Sequence, residues 1–186
     1  MIDKKSQKFL LALSRQTLVD YFVTGKKIKI VDNELPERKL SDKAATFVTL
    51  TKAGELRGCV GSLKAKKALY EDIINNTLLA GFGDARFTPL KEEEIPEVKI
   101  EISILSEPRP YTCARQELLE NIKANDHGVI IQKDFNQATY LPQVWQELPD
   151  KERFLETLCQ KAGLEKNSWL DESTELFYYT VEKFSE

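Results

Sequence analysis

A cysteine set between two glycines, with an arginine before it and a hydroxyl after it, is the most unusual chemistry in this chain: Leu56-Arg57-Gly58-Cys59-Val60-Gly61-Ser62-Leu63. A substrate can approach such a thiol, because the glycines present no side chain to cover it. Cys59 is then a candidate nucleophile or redox thiol, and Arg57 or a helix N-terminus can supply the positive potential that favours a thiolate. The bland alternative is a small buried hydrophobe in a stretch where glycine serves backbone packing. Asp84 and Arg86, between Phe82 and Phe87, are a second polar pair. As a structural ion pair they tie down a loop between aromatic anchors. As a functional pair they leave Arg86 to offer its planar fork to a carboxylate or phosphate.

Other chemistry is sparse. His127 is the single histidine, so acid–base work falls to it, to carboxylates, to tyrosine or to lysine. The three cysteines, at 59, 113 and 159, are odd in number and far apart, with no Cys-x-x-Cys pair. That spacing does not resemble a disulfide framework, and no metal site is expected from it. No Gly-x-Gly-x-x-Gly, Gly-x-x-x-x-Gly-Lys or Gly-x-Ser-x-Gly is present, which removes the standard signals for nucleotide binding and α/β hydrolases.

The elements that must position these residues follow from periodicity. Phe47–Thr51 is rich in strand formers, and Lys52-Ala53-Gly54-Glu55 is turn-like, so the Cys59 segment reads as the second strand of a hairpin. Strand alternation places Arg57, Cys59 and Gly61 on one face. Gly58 and Gly61 weaken a strand and so require a bulge, a positive φ or the close approach of another group. Helical spacing predicts a helix over Ser6–Val23 closed by Gly25, and another over Ala68–Leu79 that ends near Gly81 and Gly83. Val98–Ser106 alternates as a strand, with Val98, Ile100, Ile102 and Ile104 on one face. Ala114–Lys123 reads as a short helix with Cys113 at its start. Val129–Gln132 and Gln137–Leu141 form a second hairpin, Asp150 caps a helix through Cys159 that Gly163 closes, and Leu176–Phe184 is a final strand. Hairpins and helices interleave without a βαβ rhythm. The class is α+β, a mainly antiparallel sheet with flanking helices.

Bulk properties exclude several functions. The chain has 186 residues, 41% hydrophobic and 31% charged, with a net charge of −3. This acidic balance counts against a protein that neutralises many phosphates, although arginine and aromatics at 57, 82, 86 and 87 are the residue types that hold single-stranded nucleic acid. No stretch has the roughly 20 apolar residues of a membrane span. The N-terminal residues enter an amphipathic segment rather than a signal-peptide core. A cytoplasmic protein with no membrane association is the expectation.

Several phrases taken together resemble one family. Leu56-Arg57-Gly58-Cys59-Val60-Gly61 is similar to the Leu-Arg-Gly-Cys-Ile-Gly hallmark of the AMMECR domain family, whose bacterial and archaeal members are called AmmeMemoRadiSam system protein A. Asp84-Ala85-Arg86-Phe87-Thr88-Pro89-Leu90 resembles the family's Asp-Pro-Arg-Phe-x-Pro-Leu phrase, with Ala85 in place of proline. Glu101–Ser106 and Ala138-Thr139-Tyr140-Leu141-Pro142-Gln143-Val144-Trp145 match two further segments in order and spacing. The resemblance covers nearly the whole chain. It implies a single AMMECR-type domain over 1–186, either undivided or as two intimately packed subdomains, with two lobes around a cleft. It also implies a poorly defined activity, an undetermined substrate and cofactor, and an association with Memo-like and radical-SAM proteins.

Two functions therefore stand side by side. One is a cleft enzyme with Cys59 as its catalytic thiol and Arg57, Gly58, Gly61, Asp84, Arg86 and His127 disposed around an anionic substrate. It lacks an obvious base unless folding brings His127 close. The other is a non-catalytic binding or partner-scaffolding module. The sequence leans to the first by a small margin.

Overall fold

The computed structural model describes residues 2–186, the Asp32 side chain excepted. In chain order its main elements are α1 (Lys4–Thr24), β1 (Lys43–Lys52), β2 (Glu55–Gly61), β3 (Lys67–Ala68), α2 (Leu69–Phe82), β4 (Lys99–Leu105) and β5 (Arg109–Pro110). They continue with α3 (Leu118–Asn121), β6 (Gly128–Lys133), β7 (Asn136–Tyr140), α4 (Lys151–Lys161), β8 (Glu175–Tyr179) and β9 (Val181–Ser185). The fold is α+β. It divides into two compact units: one runs to Leu105 and takes in Glu182–Glu186, the other is Ser106–Val181.

The first unit is a sheet of order β2-β1-β4-β9, with β3 pairing the start of β1, under two helices. α1 begins where the Asp3 carboxylate accepts the Ser6 N–H (2.7 Å) and ends at Gly25, whose φ of 66° only glycine adopts without strain. Leu10 and Leu18 of α1, Ile73 and Ile74 of α2, Val48 and Leu50 of β1 and Ile100 and Ile102 of β4 make a fully buried core. Inside that core the Ser14 and Thr77 hydroxyls satisfy each other across the two helices at 2.7 Å. The β1–β2 hairpin turns through Ala53 (φ 52°) and Gly54 (φ 86°), the left-handed pair that a two-residue turn matched to strand twist requires.

The second unit is a sheet of order β5-β8-β6-β7, all antiparallel, packed against α4. Asp150 caps α4 by accepting the Arg153 N–H (2.8 Å). Trp145 lies flat on Phe154, ring centroids 3.6 Å apart and planes within 4°. Its indole N–H donates to the His127 carbonyl (2.7 Å), so the largest core side chain is also polar-satisfied. At the boundary of this unit the Ser106 N–H donates to the Thr180 carbonyl (2.9 Å), and the Thr180 N–H to the Ser106 hydroxyl (3.0 Å).

Two expectations change in detail. Leu176–Phe184 is two strands rather than one, broken at Thr180, with β8 in one sheet and β9 in the other. The helix over Ala114–Lys123 is a 3₁₀ turn at Arg115–Glu117 followed by the single turn of α3. Cys113 therefore has no helix dipole of consequence behind it, since α3 has four residues. α2 ends where its glycines stand, at Phe82 with Gly83 as its C-cap, and Gly81 lets the Leu18 and Leu90 side chains close on the helix; a Cβ there would meet them at 2.9 and 3.1 Å. No helix among the described residues is long and apolar enough to cross a membrane.

Candidate functional site

The Cys59 segment is an edge strand, and its irregularities have identifiable causes. β2 pairs only with β1, with Cys59 opposite Thr49 and Gly58 opposite Leu50, but Thr51 is opposite Leu56. Arg57 is thus the extra residue of a β-bulge, which turns its side chain out of strict alternation. Gly58 and Gly61 both have ordinary negative φ, so positive φ is not what they supply. They supply room. A Cβ on Gly58 would lie 2.1 Å from the Ala80 carbonyl oxygen of α2, and one on Gly61 would lie 2.2 Å from the Phe47 ring.

At Cys59 the backbone N–H and C=O point away from β1, toward the open edge of the sheet. Both are taken up by the loop that follows α2. The Asp84 carboxylate accepts the Cys59 N–H (2.9 Å), and the Arg86 guanidinium donates to the Cys59 carbonyl (3.1 Å). Asp84 and Arg86 are themselves joined by Nε–Oδ1 (3.0 Å) and Nη2–Oδ2 (2.7 Å) contacts. A carboxylate and a guanidinium thereby stand in for the neighbouring strand that this edge lacks. Hydrogen bonds from the Arg86 guanidinium, with a further one from the Cys59 N–H, hold the Asp84 carboxyl far below the usual carboxylate range. The loop is set by α2 itself, through Leu90 N–H donating to the Gly81 carbonyl (2.8 Å).

Arg57 is also committed. Its Nε and Nη2 each reach a different oxygen of Glu94 at 2.9 Å, and both side chains are almost wholly buried, at 14% and 13% exposure. That fork holds the Glu94 carboxyl at about 2. The remaining nitrogen, Arg57 Nη1, is buried with no hydrogen-bond partner. Half-buried Phe87 lies near both guanidiniums, with Arg57 Cζ 6.0 Å and Arg86 Cζ 5.5 Å from its ring centre. Arg86 alone keeps much of its side chain (56%) in solvent.

The half-buried Cys59 sulfur accepts a hydrogen bond from the Thr49 hydroxyl (3.3 Å). Both carboxylates of the motif are engaged by arginines. Arg57, Gly58, Cys59, Gly61, Asp84 and Arg86 thus gather around one strand edge of the first unit. His127 belongs to the second unit, and all its partners do as well. Its Nδ1 receives the Lys123 backbone N–H (3.3 Å) and lies 2.8 Å from the Tyr111 hydroxyl. A backbone N–H can only donate, so Nδ1 is the acceptor, Tyr111 donates to it, and the neutral ring carries its proton on Nε2. Burial favours this neutral form by pushing the imidazole below its ordinary value, and burial pushes the Tyr111 phenol well up. The ring stacks on Tyr178, centroids 4.4 Å apart.

Two residues that hold the site carry little signal in the sequence. Asp72, in the first turn of α2, is buried and accepts from Thr46 N–H (3.0 Å), the Thr46 hydroxyl (2.8 Å), the Ser62 hydroxyl (2.7 Å) and the Asn76 amide (3.0 Å). It fixes the end of the Cys59 segment through Ser62. Glu94 stands third in an acidic run with nothing in its neighbourhood to mark it as the partner of Arg57. Among the described residues no three His, Cys, Asp or Glu side chains gather as a metal-binding group.

The AMMECR1 family model matches residues 11–184 of this chain. A protein of Methanopyrus kandleri is 35% identical over 188 residues, covering 96% of this chain and 87% of its own length. One from Nanoarchaeum equitans is 38% identical over 179 residues, covering 95% and 98%. The crystal structure of an uncharacterised protein from Pyrococcus horikoshii superposes with a TM-score of 0.90 at 34% identity, covering all of this chain and 93% of that one.

Proposed function

This chain belongs to the AMMECR1 family, and we propose from its geometry that it is a non-catalytic binding module. In this reading the Cys59 edge recognises an anionic group on a substrate or partner protein. One observation carries it: Asp84, which takes the Cys59 N–H, and Glu94, the partner of Arg57, are both engaged by arginines, while guanidinium donors remain. Arg86 presents a half-exposed guanidinium, and Arg57 Nη1 is a buried donor with no protein acceptor. Such a donor costs stability unless something supplies an acceptor. A carboxylate or phosphate beside Phe87 would meet the half-exposed Arg86 guanidinium, Arg57 Nη1 being closed to solvent. Memo-like and radical-SAM proteins, implied by the family resemblance, are the partners to try first.

The test separates the arginine from the thiol. Arg86→Gln should weaken binding of a candidate partner about ten-fold, the loss of one charge-assisted contact, whereas Cys59→Ser should bind as wild type. Loss of binding in Cys59→Ser with Arg86→Gln unaffected would overturn the reading. A thiol enzyme is the second reading, favoured by the Thr49 hydroxyl donating to a half-buried sulfur. It requires that Cys59→Ser abolish turnover of some substrate.

A further inference from the structure

The second unit contains a cavity of about 450 Å³ that none of the Cys59-segment residues lines. We propose that this cavity binds a small aromatic acid, an organic ligand with one flat ring and one carboxylate or phosphate group. The size lies in the range of small-molecule sites and exceeds what a free ion needs. Its walls supply the two kinds of contact such a ligand uses.

The charged end follows from Arg109 and Lys123. Both line the cavity, both are exposed, and neither side chain makes an ion pair or hydrogen bond within the described residues. Asp126 is the single acidic lining residue, so positive charge prevails. His127 adds a directed donor. It is 6% exposed and lines the cavity, and with Nδ1 engaged by Tyr111 and Lys123 its Nε2–H makes no hydrogen bond to protein. An N–H that faces the cavity without a protein acceptor, beside two unpaired cations, is suited to an oxyanion. The flat end follows from half-buried Tyr111 and Tyr178, which both line the cavity, their rings tilted 42° to each other with centroids 5.0 Å apart. Their position is fixed by β5 and β8, which pair Pro110 with Phe177 and Arg109 with Tyr178.

The single histidine makes the site readable at one residue. Ring-nitrogen spectra of ¹⁵N-histidine-labelled full-length protein are titrated with phenyl phosphate, with benzoate and with neutral phenol. The expected result is a saturable movement of the Nε2 signal for at least one of the two acids and none for phenol. In Arg109→Gln with Lys123→Gln the same titration should weaken about ten-fold or more. These side chains are exposed and unpaired, so the double variant should fold as wild type. Alkylation of Cys113, which lines the same cavity, should slow when the acid is bound. Failure of both acids to saturate below about 10 mM, equal binding of phenol, unchanged affinity in the double variant, inorganic phosphate binding as tightly as phenyl phosphate, or an unaltered Cys113 rate would each overturn the proposal.

Discussion

Adding one methyl group at Gly58 tests the central packing claim. In Gly58→Ala the new Cβ would stand 2.1 Å from the Ala80 carbonyl oxygen, where ordinary contact begins at 3.4 Å. The obstruction is backbone, so no rotamer change relieves it; β2 and α2 must separate by about 1.3 Å. Overpacking a well-packed interior costs typically 1–3 kcal/mol. The upper end applies here, because the displacement also loosens the Cys59 N–H bond to Asp84 and the β2–β1 register at the bulge. About 3 kcal/mol corresponds to a fall in Tm of roughly 6–12 °C for a chain of this size. Two probes locate the damage. Both tryptophans, Trp145 and Trp169, lie in the second unit, so their fluorescence reports that unit, whereas far-UV circular dichroism reports both. The expected result is a lowered circular-dichroism transition that the tryptophan signal does not lead. A Tm within about 2 °C of wild type would refute the reasoning, since a displacement of that size cannot be free.

Gly61→Ala should cost less, about 1 kcal/mol, because its Cβ meets the half-buried Phe47 ring, which can swing aside; a loss equal to that of Gly58→Ala in chemical denaturation would contradict this. Glu94, with a carboxyl held near 2 in the folded chain, stabilises the protein above its ordinary value of 4.5, and that contribution is lost as pH falls from there toward 2. Glu94→Gln should accordingly be less stable at neutral pH and show a shallower stability loss across that window, read from denaturation midpoints. Iodoacetamide should label half-buried Cys59 and Cys113 in the native protein and fully buried Cys159 only on unfolding, burial having also pushed the Cys159 thiol up; early labelling of Cys159 by peptide mass spectrometry would show the α4 core to be open. Tyr111→Phe removes a donor from His127 Nδ1 and with it a bond that favours the neutral ring, so the imidazole should titrate at higher pH by NMR; a fall would reverse the tautomer assignment.

What could be read from the sequence follows from how local each signal is. α1 closes at Gly25, the first hairpin turns at Ala53-Gly54, and α4 starts on Asp150 and ends before Gly163; each boundary is set by one or two residues whose backbone or capping preference is strong. The apolar residues Leu118, Leu119 and Ile122 fitted a ten-residue helix equally well as the 3₁₀ turn and single α-turn that they form, because a short apolar run does not fix its own length. Nothing in Leu176–Phe184 marks Thr180 as the place where the chain changes sheets, since both halves carry the same β-forming residues. At the site, Cys59, its glycines, Asp84 and Arg86 stood out by type and spacing. The 37-residue reach from Arg57 to Glu94 and the 26-residue reach from Thr46 to Asp72 did not, because a carboxylate's partner is chosen by the packing of α2 and the loop after it. Sequence spacing on one strand also placed Arg57 beside the thiol, and the bulge sends it to Glu94 instead.

The break at Thr180 sets an order of assembly. Every strand of the second sheet lies between Arg109 and Tyr179, whereas the first sheet takes its last member, β9, from residues that follow all of those strands. During synthesis, which exposes the chain from its N-terminus onward, the first unit waits with the β4 edge bare while the second acquires all of its partners. The unit that begins first is therefore completed last. Until then Arg15 lacks Glu186, Glu101 lacks Lys183, and the Ile100 backbone N–H lacks the Glu186 carboxylate. A released fragment that ends at residue 180 should hold a protease-resistant second unit beside an unclosed first sheet.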